Sequence, residues 1–272
     1  MTTKSWRLAL FGNPVDHSLS PILQKAFAKQ FDLNICYQKI LTPIIDFQEK
    51  VENFFATGGD GANVTLPFKE EAYRLVDEMS DRARACGAVN TLIQKKTGLV
   101  VDNTDGIGLV NDLIQQGIRL KGKRILLIGA GGAAKGALPA LMQEQPQKIT
   151  LSNRTFSKAQ RIAEHFSLRA VPLMATQEDR YDLIINATSS SIKGAFLPLP
   201  ASIFSECKAA YDMMYGTQDS PFLRHAQEKG VAHISDGLGM VVYQGAASFS
   251  LWTGKQPDAQ PVLNALKTRL YV

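Results

Sequence analysis

Four short segments of this 272-residue chain combine hydroxyl, amide, carboxylate and amine groups that could bind a small polar molecule. They cover residues 17–21, 63–69, 88–91 and 102–106, and the first two lie at or after the end of a predicted strand. Open α/β sheets bind their ligands at the carboxyl ends of the strands. We therefore interpret the four segments together as a pocket for a small, polyhydroxylated acid. Each segment alone also fits a helix cap, a turn or a solvated lysine.

A glycine-rich turn indicates a second kind of ligand. The sequence Gly-Ala-Gly-Gly-Ala-Ala over residues 129–134 follows an apolar run and precedes a predicted helix. Gly129 would make the tight turn, Gly131 would let the backbone approach a pyrophosphate, and Ala134 would allow close packing of helix on strand. The free N–H groups at the start of the helix would then face the phosphates. This context predicts a dinucleotide site.

The end of the next predicted strand selects the nucleotide. Proteins that bind NAD usually carry an acidic residue there, which contacts the ribose hydroxyl. Here the strand ends in Asn153-Arg154-Thr155, and Lys158 follows one turn later. Arg154 offers a planar fork for a phosphate, and a cation at a helix start is otherwise opposed by the helix dipole. We therefore predict NADP rather than NAD.

The distribution of charge agrees with an anionic cofactor. The chain has 30 Lys and Arg against 25 Asp and Glu, a formal net charge of +5. Residues 1–102 are neutral, with twelve basic and twelve acidic side chains, whereas residues 119–169 contain ten basic and two acidic ones. The basic stretch coincides with the glycine-rich turn, and no nucleic-acid-binding motif accompanies it. We expect no nucleic-acid partner.

The alternation of apolar runs with helix-like stretches predicts an α/β fold. Strands are expected over residues 7–11, 35–40, 61–65, 123–128, 148–151, 181–185 and 209–212. Helices are expected from an N-cap at Ser20 with Pro21 first in the helix, and over 47–55, 67–76, 106–116, 133–143, 157–166, 239–252 and 259–270. We divide the chain into an N-terminal α/β substrate domain (1–104), a Rossmann-like dinucleotide-binding domain (105–236) beyond a cleft, and C-terminal helices (237–272) that pack back on the first domain.

Composition excludes several other classes of protein. The longest apolar runs are too short for a membrane span, and the first residues contain no apolar core of an export signal, so we expect a cytoplasmic protein. The three cysteines and four histidines are scattered and fit neither a disulfide framework nor a metal motif. We expect no metal.

The order of the motifs resembles one known family. The sequences HSLSP (17–21), NVTLPFK (63–69), AVNT (88–91), NTDG (103–106), GAGGAA (129–134), NRT (153–155), NATS (186–189) and DGLGM (236–240) are similar to those of shikimate dehydrogenases. They span nearly the whole chain in that family's order. The resemblance implies reversible, NADPH-dependent reduction of 3-dehydroshikimate to shikimate, a step toward chorismate and the aromatic amino acids.

The resemblance also assigns roles to residues. Lys69 and Asp105 would flank the reacting hydroxyl of the substrate. The substrate carboxylate would be held by Ser18, Ser20 and Tyr215, and the ring hydroxyls by Thr65, Asn90, Asp105 and Gln244. The cofactor would be lined by Asp81, Gly129, Ala130, Gly131, Gly132, Ala133, Asn153, Arg154, Thr155, Lys158, Met213 and Gly237. Partners other than the small molecules are not implied, and the protein would be a monomer or a homodimer.

The chemistry of carbonyl reduction supports the roles of Lys69 and Asp105. Hydride addition to a carbonyl leaves an alkoxide, which needs a proton donor within about 3 Å. Lys69 could give that proton or stabilise the oxyanion as a cation. We predict that Lys69 and Asp105 work as one unit.

The chain departs from the family pattern at a few positions. Gln24 replaces a common histidine and is expected to be peripheral, and Lys158 replaces a common arginine. Tyr243 precedes Gln244 where a small residue is usual, and with Gly245 it could reshape the edge of the pocket. Ser191 and Lys193 also differ from the usual glycine-rich loop.

Alternative functions remain open from the sequence. One is a quinate/shikimate dehydrogenase that uses NAD, against which Asn153 and Arg154 argue. Another, from a different class, is a non-catalytic protein that senses NADP, against which the joint presence of Lys69 and Asp105 argues. A nucleic-acid binder is the third, and no motif supports it.

Overall fold

The computed structural model describes residues 4–190 and 198–271, so Ser191 and Lys193 lie outside the described residues. The chain divides into two compact units. Unit 1 comprises Met1–Gly108 and Val241–Leu266, and unit 2 comprises Leu109–Met240 and Lys267–Val272. The divisions after Gly108 and Met240 fall inside helices, four residues later than the boundaries predicted from the sequence, and a third division, after Leu266, falls inside the last helix.

The sheet of unit 1 is mixed. Its strands are β1 (Ser5–Gly12), β2 (Asn34–Leu41), β3 (Gly61–Val64), β4 (Thr91–Lys95) and β5 (Gly98–Asp102), in the order β2-β1-β3-β4-β5. The first three, all predicted, are parallel. β4 and β5, which were not predicted, form an antiparallel hairpin. The carboxyl ends of β1 and β3 and the start of β4 consequently lie at the same edge of the sheet.

The helices of unit 1 bring the polar segments to that edge. They are α1 (Ser20–Lys29), α2 (Phe47–Ala56), α3 (Lys69–Ala72) and α4 (Asp81–Cys86). The last two helices of the chain, α9 (Leu238–Thr253) and α10 (Ala259–Tyr271), contribute most of their length to this unit. The Trp252 indole of α9 donates to the carbonyl of Leu92 in β4 at 2.9 Å, which fixes α9 on the sheet.

Two predictions about these helices are wrong. Ser20 is the first residue of α1 rather than its N-cap, because Leu19 occupies the cap position and the Ser20 hydroxyl accepts instead from Ser18. The helix predicted over 67–76 is only four residues long. Beyond Ala72 the chain forms turns in which each N–H bonds the carbonyl three residues back, which ends the α-helix.

Unit 2 is a doubly wound parallel sheet. Its strands are β6 (Arg124–Ile128), β7 (Lys148–Ser152), β8 (Arg169–Val171), β9 (Leu183–Asn186), β10 (Ala209–Asp212) and β11 (His233–Ser235), in the order β11-β10-β9-β6-β7-β8. Its helices are α5 (Asp105–Gln115), most of which lies in this unit, α6 (Gly132–Gln143), α7 (Phe156–Phe166) and α8 (Pro221–Glu228). The predicted strands are confirmed, whereas β8, β11 and α8 were not predicted.

Strand β6 is the centre of this sheet. Ile125 and Leu127 face one hydrophobic cluster, and Leu126 and Ile128 face another on the opposite side. This explains the uninterrupted apolar run, which is typical of a strand covered by helices on both faces. The sheet order reverses at β6, since β7 lies on one side and β9 on the other. Ligands of such sheets bind at the carboxyl ends of the strands beside this reversal.

Within the described residues, no helix is both long and apolar enough to cross a membrane. Nor does that part of the chain contain a group of three or more His, Cys, Asp or Glu side chains that could hold a metal ion.

Candidate active site

Lys69 and Asp105 form a shielded ion pair in unit 1. The Lys69 Nζ lies 2.5 Å from the Asp105 Oδ2, and only 13% and 5% of the two side chains are exposed. Each residue is the first of its helix, Lys69 of α3 and Asp105 of α5. The first turns of α3 and α5 therefore fix the positions of the two charged groups. Because both side chains are largely buried, solvent screens their attraction far less than that of a surface salt bridge.

The segment before β4 holds these two helix starts together. The Val89 N–H donates to the Lys69 carbonyl at 2.8 Å. On the other side, the Asn103 amide donates to the Ala88 carbonyl at 2.8 Å and accepts from the Asp105 N–H at 3.0 Å. The AVNT and NTDG motifs are thus parts of one backbone arrangement that fixes the distance between the amine and the carboxylate.

Asn90 is the third member of the site. Its Oδ1 accepts from the Thr104 backbone N–H at 2.8 Å, and its Nδ2 donates to the Asp105 Oδ1 at 2.9 Å. A backbone N–H can only donate, so the amide must present its oxygen there and its NH₂ group to the carboxylate. Both oxygens of Asp105 are therefore engaged, one by Asn90 and one by Lys69.

Gln244 joins this group from α9. Its Oε1 lies 3.2 Å from the Asn90 Nδ2, and its own Nε2 donates to the Val241 carbonyl at 2.9 Å. Gln244 is half-buried. The structure thus brings Lys69, Asn90, Asp105 and Gln244 into one cluster, from three helices and the segment before β4, which are far apart in the sequence.

Ser18, Ser20 and Thr65 belong to unit 1, where Ser18 precedes α1, Ser20 is the first residue of α1 and Thr65 follows β3. The Ser18 hydroxyl donates to the Ser20 hydroxyl at 3.1 Å and accepts from the Ser20 N–H at 3.2 Å. The Thr65 N–H donates to the Phe11 carbonyl at the end of β1. Val64, next to Thr65, donates its N–H to the Asn90 carbonyl at 2.8 Å. The backbone contacts of Val64 and Thr65 place Thr65 at the same end of the sheet as the Lys69–Asp105 pair.

Two residues that depart from the family pattern, Gln24 and Tyr243, make specific contacts in unit 1. Gln24 is fully buried rather than peripheral, and its Nε2 donates to the Gly245 carbonyl at 3.0 Å, which ties α1 to α9 beside Gln244. The Tyr243 hydroxyl donates to the Gln260 Oε1 of α10 at 2.8 Å. Tyr243 thus anchors one C-terminal helix to the next.

Cys86 lies within electrostatic range of Lys69 and Asp105. Burial raises the pKa of its thiol to about 11, so the thiol is protonated at neutral pH. A protonated thiol is neither a nucleophile nor a charge that competes for Lys69. The chemistry of the site consequently depends on the amine, the carboxylate and the amides around them.

The glycine-rich turn of unit 2 has the geometry that a dinucleotide needs. Gly129 follows β6 with φ of +128°, a conformation that favours glycine, and a Cβ there would lie 3.0 Å from the Ala187 backbone. Gly131 has an ordinary φ of −101°, and a Cβ on it would meet no heavy atom of the described residues within 4 Å. The protein's own packing therefore does not require glycine at 131. Close approach of a ligand to the start of α6 does explain it.

The residues that were predicted to select NADP lie at the end of β7. Asn153 directly follows β7, and its side chain donates to the Thr155 carbonyl at 2.9 Å, which shapes the turn into α7. Arg154 and Lys158 are exposed. Thr155 is the N-cap of α7 and makes no side-chain hydrogen bond to the helix. Arg154 and Lys158 thus place two positive charges near the N-terminus of α7, where the helix dipole disfavours cations. A bound phosphate would offset that cost.

Met213 and Gly237 meet at the end of β10. A Cβ on Gly237 would lie 2.2 Å from the Met213 carbonyl oxygen, so the DGLGM motif needs glycine at this position for a close backbone approach. Tyr215 follows in the same loop and is half-buried. Asp81, by contrast, belongs to unit 1, where it is exposed at the start of α4.

The Gly237 contact supports a prediction about stability. A Gly237→Ala substitution should destabilise the fold by about 1–3 kcal/mol, because a backbone atom cannot move aside as a flexible side chain can. Urea unfolding measures the change. Gly117→Ala is the control. A Cβ at residue 117 meets no heavy atom of the described residues within 4 Å, so this variant measures only the cost of placing alanine at a φ of +77°. A Gly237→Ala protein as stable as the wild type would contradict the close approach.

Sequence reasoning missed several side chains of the site. Asn63, Thr91 and Thr104 lie in the predicted segments but received no role of their own. Ser248 and Tyr37 belong to no motif. Ser248 lies one helical turn after Gln244 in an otherwise largely apolar helix, and that spacing is the signal that could have revealed it.

The fold and the site together define a class of protein. A doubly wound sheet with a dinucleotide-type glycine turn, joined to a second α/β unit that carries a buried lysine–aspartate pair, is the organisation of a two-domain nicotinamide-dependent dehydrogenase.

Comparisons with known proteins identify the family. Residues 10–92 match the family model for the shikimate dehydrogenase substrate binding domain, residues 112–193 match shikimate / quinate 5-dehydrogenase, and residues 237–267 match the shikimate 5'-dehydrogenase C-terminal domain. A shikimate dehydrogenase (NADP(+)) from Vibrio campbellii is 46% identical over 275 residues, which cover 99% of each chain. The chain belongs to the shikimate dehydrogenase family.

Solved structures agree with this assignment. An Ael1 enzyme from Pseudomonas putida superimposes with a TM-score of 0.90 at 37% identity and 98% coverage of both chains. A shikimate 5-dehydrogenase from Thermus thermophilus, solved with NADP(H) and shikimate, superimposes with a TM-score of 0.87 at 37% identity. That match covers 97% of this chain and 100% of the other.

Proposed function

We propose that this protein catalyses the reversible, NADPH-dependent reduction of 3-dehydroshikimate to shikimate. The observation that carries the proposal is the shielded Lys69–Asp105 pair, with Asn90 and Gln244 beside it, in a chain of the shikimate dehydrogenase family. The residues of the glycine turn and the loop after β7 fit a dinucleotide that carries a further phosphate. The reaction would be a step toward chorismate and the aromatic amino acids.

The chemistry of Lys69 follows from its surroundings. Bound NADPH would supply the hydride. As the carbonyl carbon accepts it, negative charge develops on the carbonyl oxygen, and the Lys69 ammonium stabilises that charge and gives the proton. Asp105 holds the Lys69 amine in place through its Oδ2 and offers its other oxygen to Asn90. In the direction of oxidation the same amine takes the proton from the hydroxyl.

The remaining polar groups would bind the substrate. We assign the ring hydroxyls to Thr65, Asn90, Asp105 and Gln244. The hydroxyl and the two amides can donate and accept, and the Asp105 carboxylate can accept, as a polyol requires. The carboxylate is assigned to Ser18 and Ser20, already hydrogen-bonded to each other, with Tyr215. A site built for hydroxyl groups rejects analogues that lack them.

The cofactor is assigned to unit 2. The pyrophosphate would face the glycine-rich turn, which is formed by Gly129, Ala130, Gly131, Gly132 and Ala133. The additional phosphate would be held by Arg154 and Lys158, in a loop shaped by Asn153 and Thr155. The nicotinamide end would be lined by Met213 and Gly237. Asp81 is the one cofactor residue assigned to unit 1. We further propose a cytoplasmic protein that is a monomer or a homodimer.

Arg154 provides the test of the cofactor assignment. An Arg154→Ala enzyme should show a KM for NADP⁺ raised about 10- to 50-fold, since a charged hydrogen bond to phosphate is lost. Its KM for NAD⁺ should change by less than about twofold. Steady-state kinetics with both cofactors measure this.

A matched control lies on the helix that follows Arg154. Arg161 is an exposed arginine within α7, so Arg161→Ala should leave both KM values unaltered. An unaltered NADP⁺ KM in Arg154→Ala would contradict the assignment. Assays with quinate test the alternative of a quinate/shikimate dehydrogenase that uses NAD.

A further inference from the structure

A continuous set of buried hydrogen bonds runs behind the proposed substrate site. It passes through Tyr37, Asn63, Ser248, Thr91 and Asn90, all of which are buried in unit 1. Tyr37 belongs to β2, Ser248 to α9, and Thr91 is the first residue of β4. Three elements that are remote in sequence thus share one polar interior, and the direction of each hydrogen bond in it can be worked out.

The first bond starts at the Tyr37 hydroxyl. Burial raises the pKa of Tyr37 above its ordinary value, so the hydroxyl keeps its proton. It donates that proton to the Asn63 Oδ1 at 2.8 Å. The Asn63 Nδ2 then donates to the Asn90 carbonyl at 3.1 Å and to the Ser248 Oγ at 3.0 Å. A carbonyl can only accept, which fixes the amide of Asn63 in the same orientation independently.

The hydrogen bonds continue through the hydroxyl groups of Ser248 and Thr91. Because the Ser248 Oγ accepts from Asn63, its own proton is available to the Thr91 Oγ1 at 2.9 Å or to the Thr104 Oγ1 at 3.1 Å. The Thr91 hydroxyl in turn donates to the Asn90 Oδ1 at 2.8 Å. Because the single Thr91 hydroxyl proton goes to the Asn90 Oδ1, the 2.9 Å contact between Thr91 and Ser248 is a hydrogen bond when Ser248 is the donor.

The last bond is made by Asn90. Its Oδ1 receives protons from the Thr91 hydroxyl and from the Thr104 backbone N–H. Its NH₂ group must then face Asp105 and Gln244, where acceptors lie at 2.9 Å and 3.2 Å. A flipped amide would set its oxygen against the Asp105 carboxylate, acceptor against acceptor. The bonds run one way, from Tyr37 to Asp105.

We propose that Tyr37, Ser248 and Thr91 are positioning residues that hold the Asn90 amide in the single orientation in which it donates to Asp105 and to the substrate hydroxyls. This inference rests on the proposed function, because Asn90 and Asp105 are assigned there to substrate. The three residues are not themselves assigned to substrate or cofactor. They act through Asn90, and hydrogen bonds aligned in one direction strengthen one another.

Thr91 allows the sharpest test, because one substitution removes only its hydroxyl and another keeps it. Thr91→Val preserves the shape of the side chain but removes one of the donors to the Asn90 Oδ1 and one of the two hydroxyls that can accept the Ser248 proton, while the Thr104 contacts remain. It should lower kcat/KM for shikimate about 10-fold, with the NADP⁺ KM unchanged within about twofold. Thr91→Ser keeps the hydroxyl and should stay within about threefold of the wild type.

Ser248 and Tyr37 extend the test along the same bonds. Ser248→Ala should lower kcat/KM for shikimate about 5-fold, whereas Ser250→Ala, a control on the same helix whose hydroxyl bonds the Ala246 carbonyl, should have no effect. Tyr37→Phe, two hydrogen bonds further from Asn90 than Ser248, should have the smallest effect of the three.

Two readouts separate positioning from a general loss of structure. Discrimination between shikimate and analogues that lack one ring hydroxyl should shrink in Thr91→Val and return in Thr91→Ser, whereas a destabilised but intact site would keep it. Independently of activity, the Asn90 side-chain NH₂ signals of ¹⁵N-labelled protein, assigned with Asn90→Asp, should shift or double in Thr91→Val and stay single in Thr91→Ser.

The outcomes distinguish this inference from the proposed function. If the wild-type enzyme does not oxidise shikimate, the proposed function fails, and the NMR measurement alone decides whether Thr91 orients Asn90. If shikimate is oxidised but Thr91→Val matches the wild type in kinetics, discrimination and NMR signals, the positioning role is overturned. Equal losses in Thr91→Val and Thr91→Ser would also overturn it, since the hydroxyl would then not be the cause.

Discussion

A Lys69→Met enzyme should turn over shikimate about 10²- to 10⁴-fold more slowly than the wild type. Methionine retains the length of the side chain but supplies neither the proton nor the positive charge that the developing oxyanion needs. Affinity for NADPH should change little, since Lys69 is not assigned to the cofactor. Steady-state kinetics and a fluorescence titration of NADPH measure the two quantities.

The control must separate chemistry from stability. Removing the amine leaves the buried Asp105 carboxylate with Asn90 as its remaining side-chain partner, so some loss of stability is expected as well. Urea unfolding of the variant shows whether it is folded under assay conditions. Lys95→Met, which alters an exposed lysine of the same unit, should retain full activity. A Lys69→Met enzyme with near-normal turnover would refute the role of Lys69.

An Asp105→Asn enzyme should lose about 10²- to 10³-fold in kcat. The amide cannot hold the ammonium of Lys69 by charge at 2.5 Å, and its NH₂ group would face either Lys69 or the NH₂ of Asn90. The amine would consequently leave its place even though the shape of the side chain is preserved. Kinetics in the direction of oxidation, with saturating NADP⁺, measure the loss.

A double-mutant cycle tests whether the pair acts as one unit. If it does, Lys69→Met combined with Asp105→Asn should be little slower than Lys69→Met alone, because groups that act together are strongly non-additive. If the two losses multiply, Asp105 contributes separately from Lys69, and the description of a single unit is wrong.

Much of the fold could be predicted because its pattern is local. The apolar run before Gly129 indicated a strand covered on both faces, and the structure places two hydrophobic clusters against it. The hairpin of β4 and β5 was missed because its strands alternate weakly and include no turn motif such as Asn-Gly. The helix predicted after Pro67 was too long because the apolar pattern continues beyond Ala72, whereas the N–H groups of Arg74 and Leu75 bond the carbonyls three residues back and end the α-helix.

In the site too, the residues within local motifs could be predicted, whereas those that depend on tertiary packing could not. Lys69, Asn90 and Asp105 were found through motifs, and the structure brings them within hydrogen-bond distance. Their support was not predictable, because Tyr37 and Ser248 reach the site through tertiary packing. Buried polar side chains on an apolar element require partners, yet the sequence does not say which. That pairing is information that the folded chain adds.

The most direct measurement is an assay of the purified protein with 3-dehydroshikimate and NADPH, followed by oxidation of the nicotinamide. We predict rapid reduction to shikimate, a marked preference for NADPH over NADH, and loss of the reaction in Lys69→Met. Absence of reduction by the folded wild-type protein, or equal rates in the wild type and Lys69→Met, would contradict the proposed function.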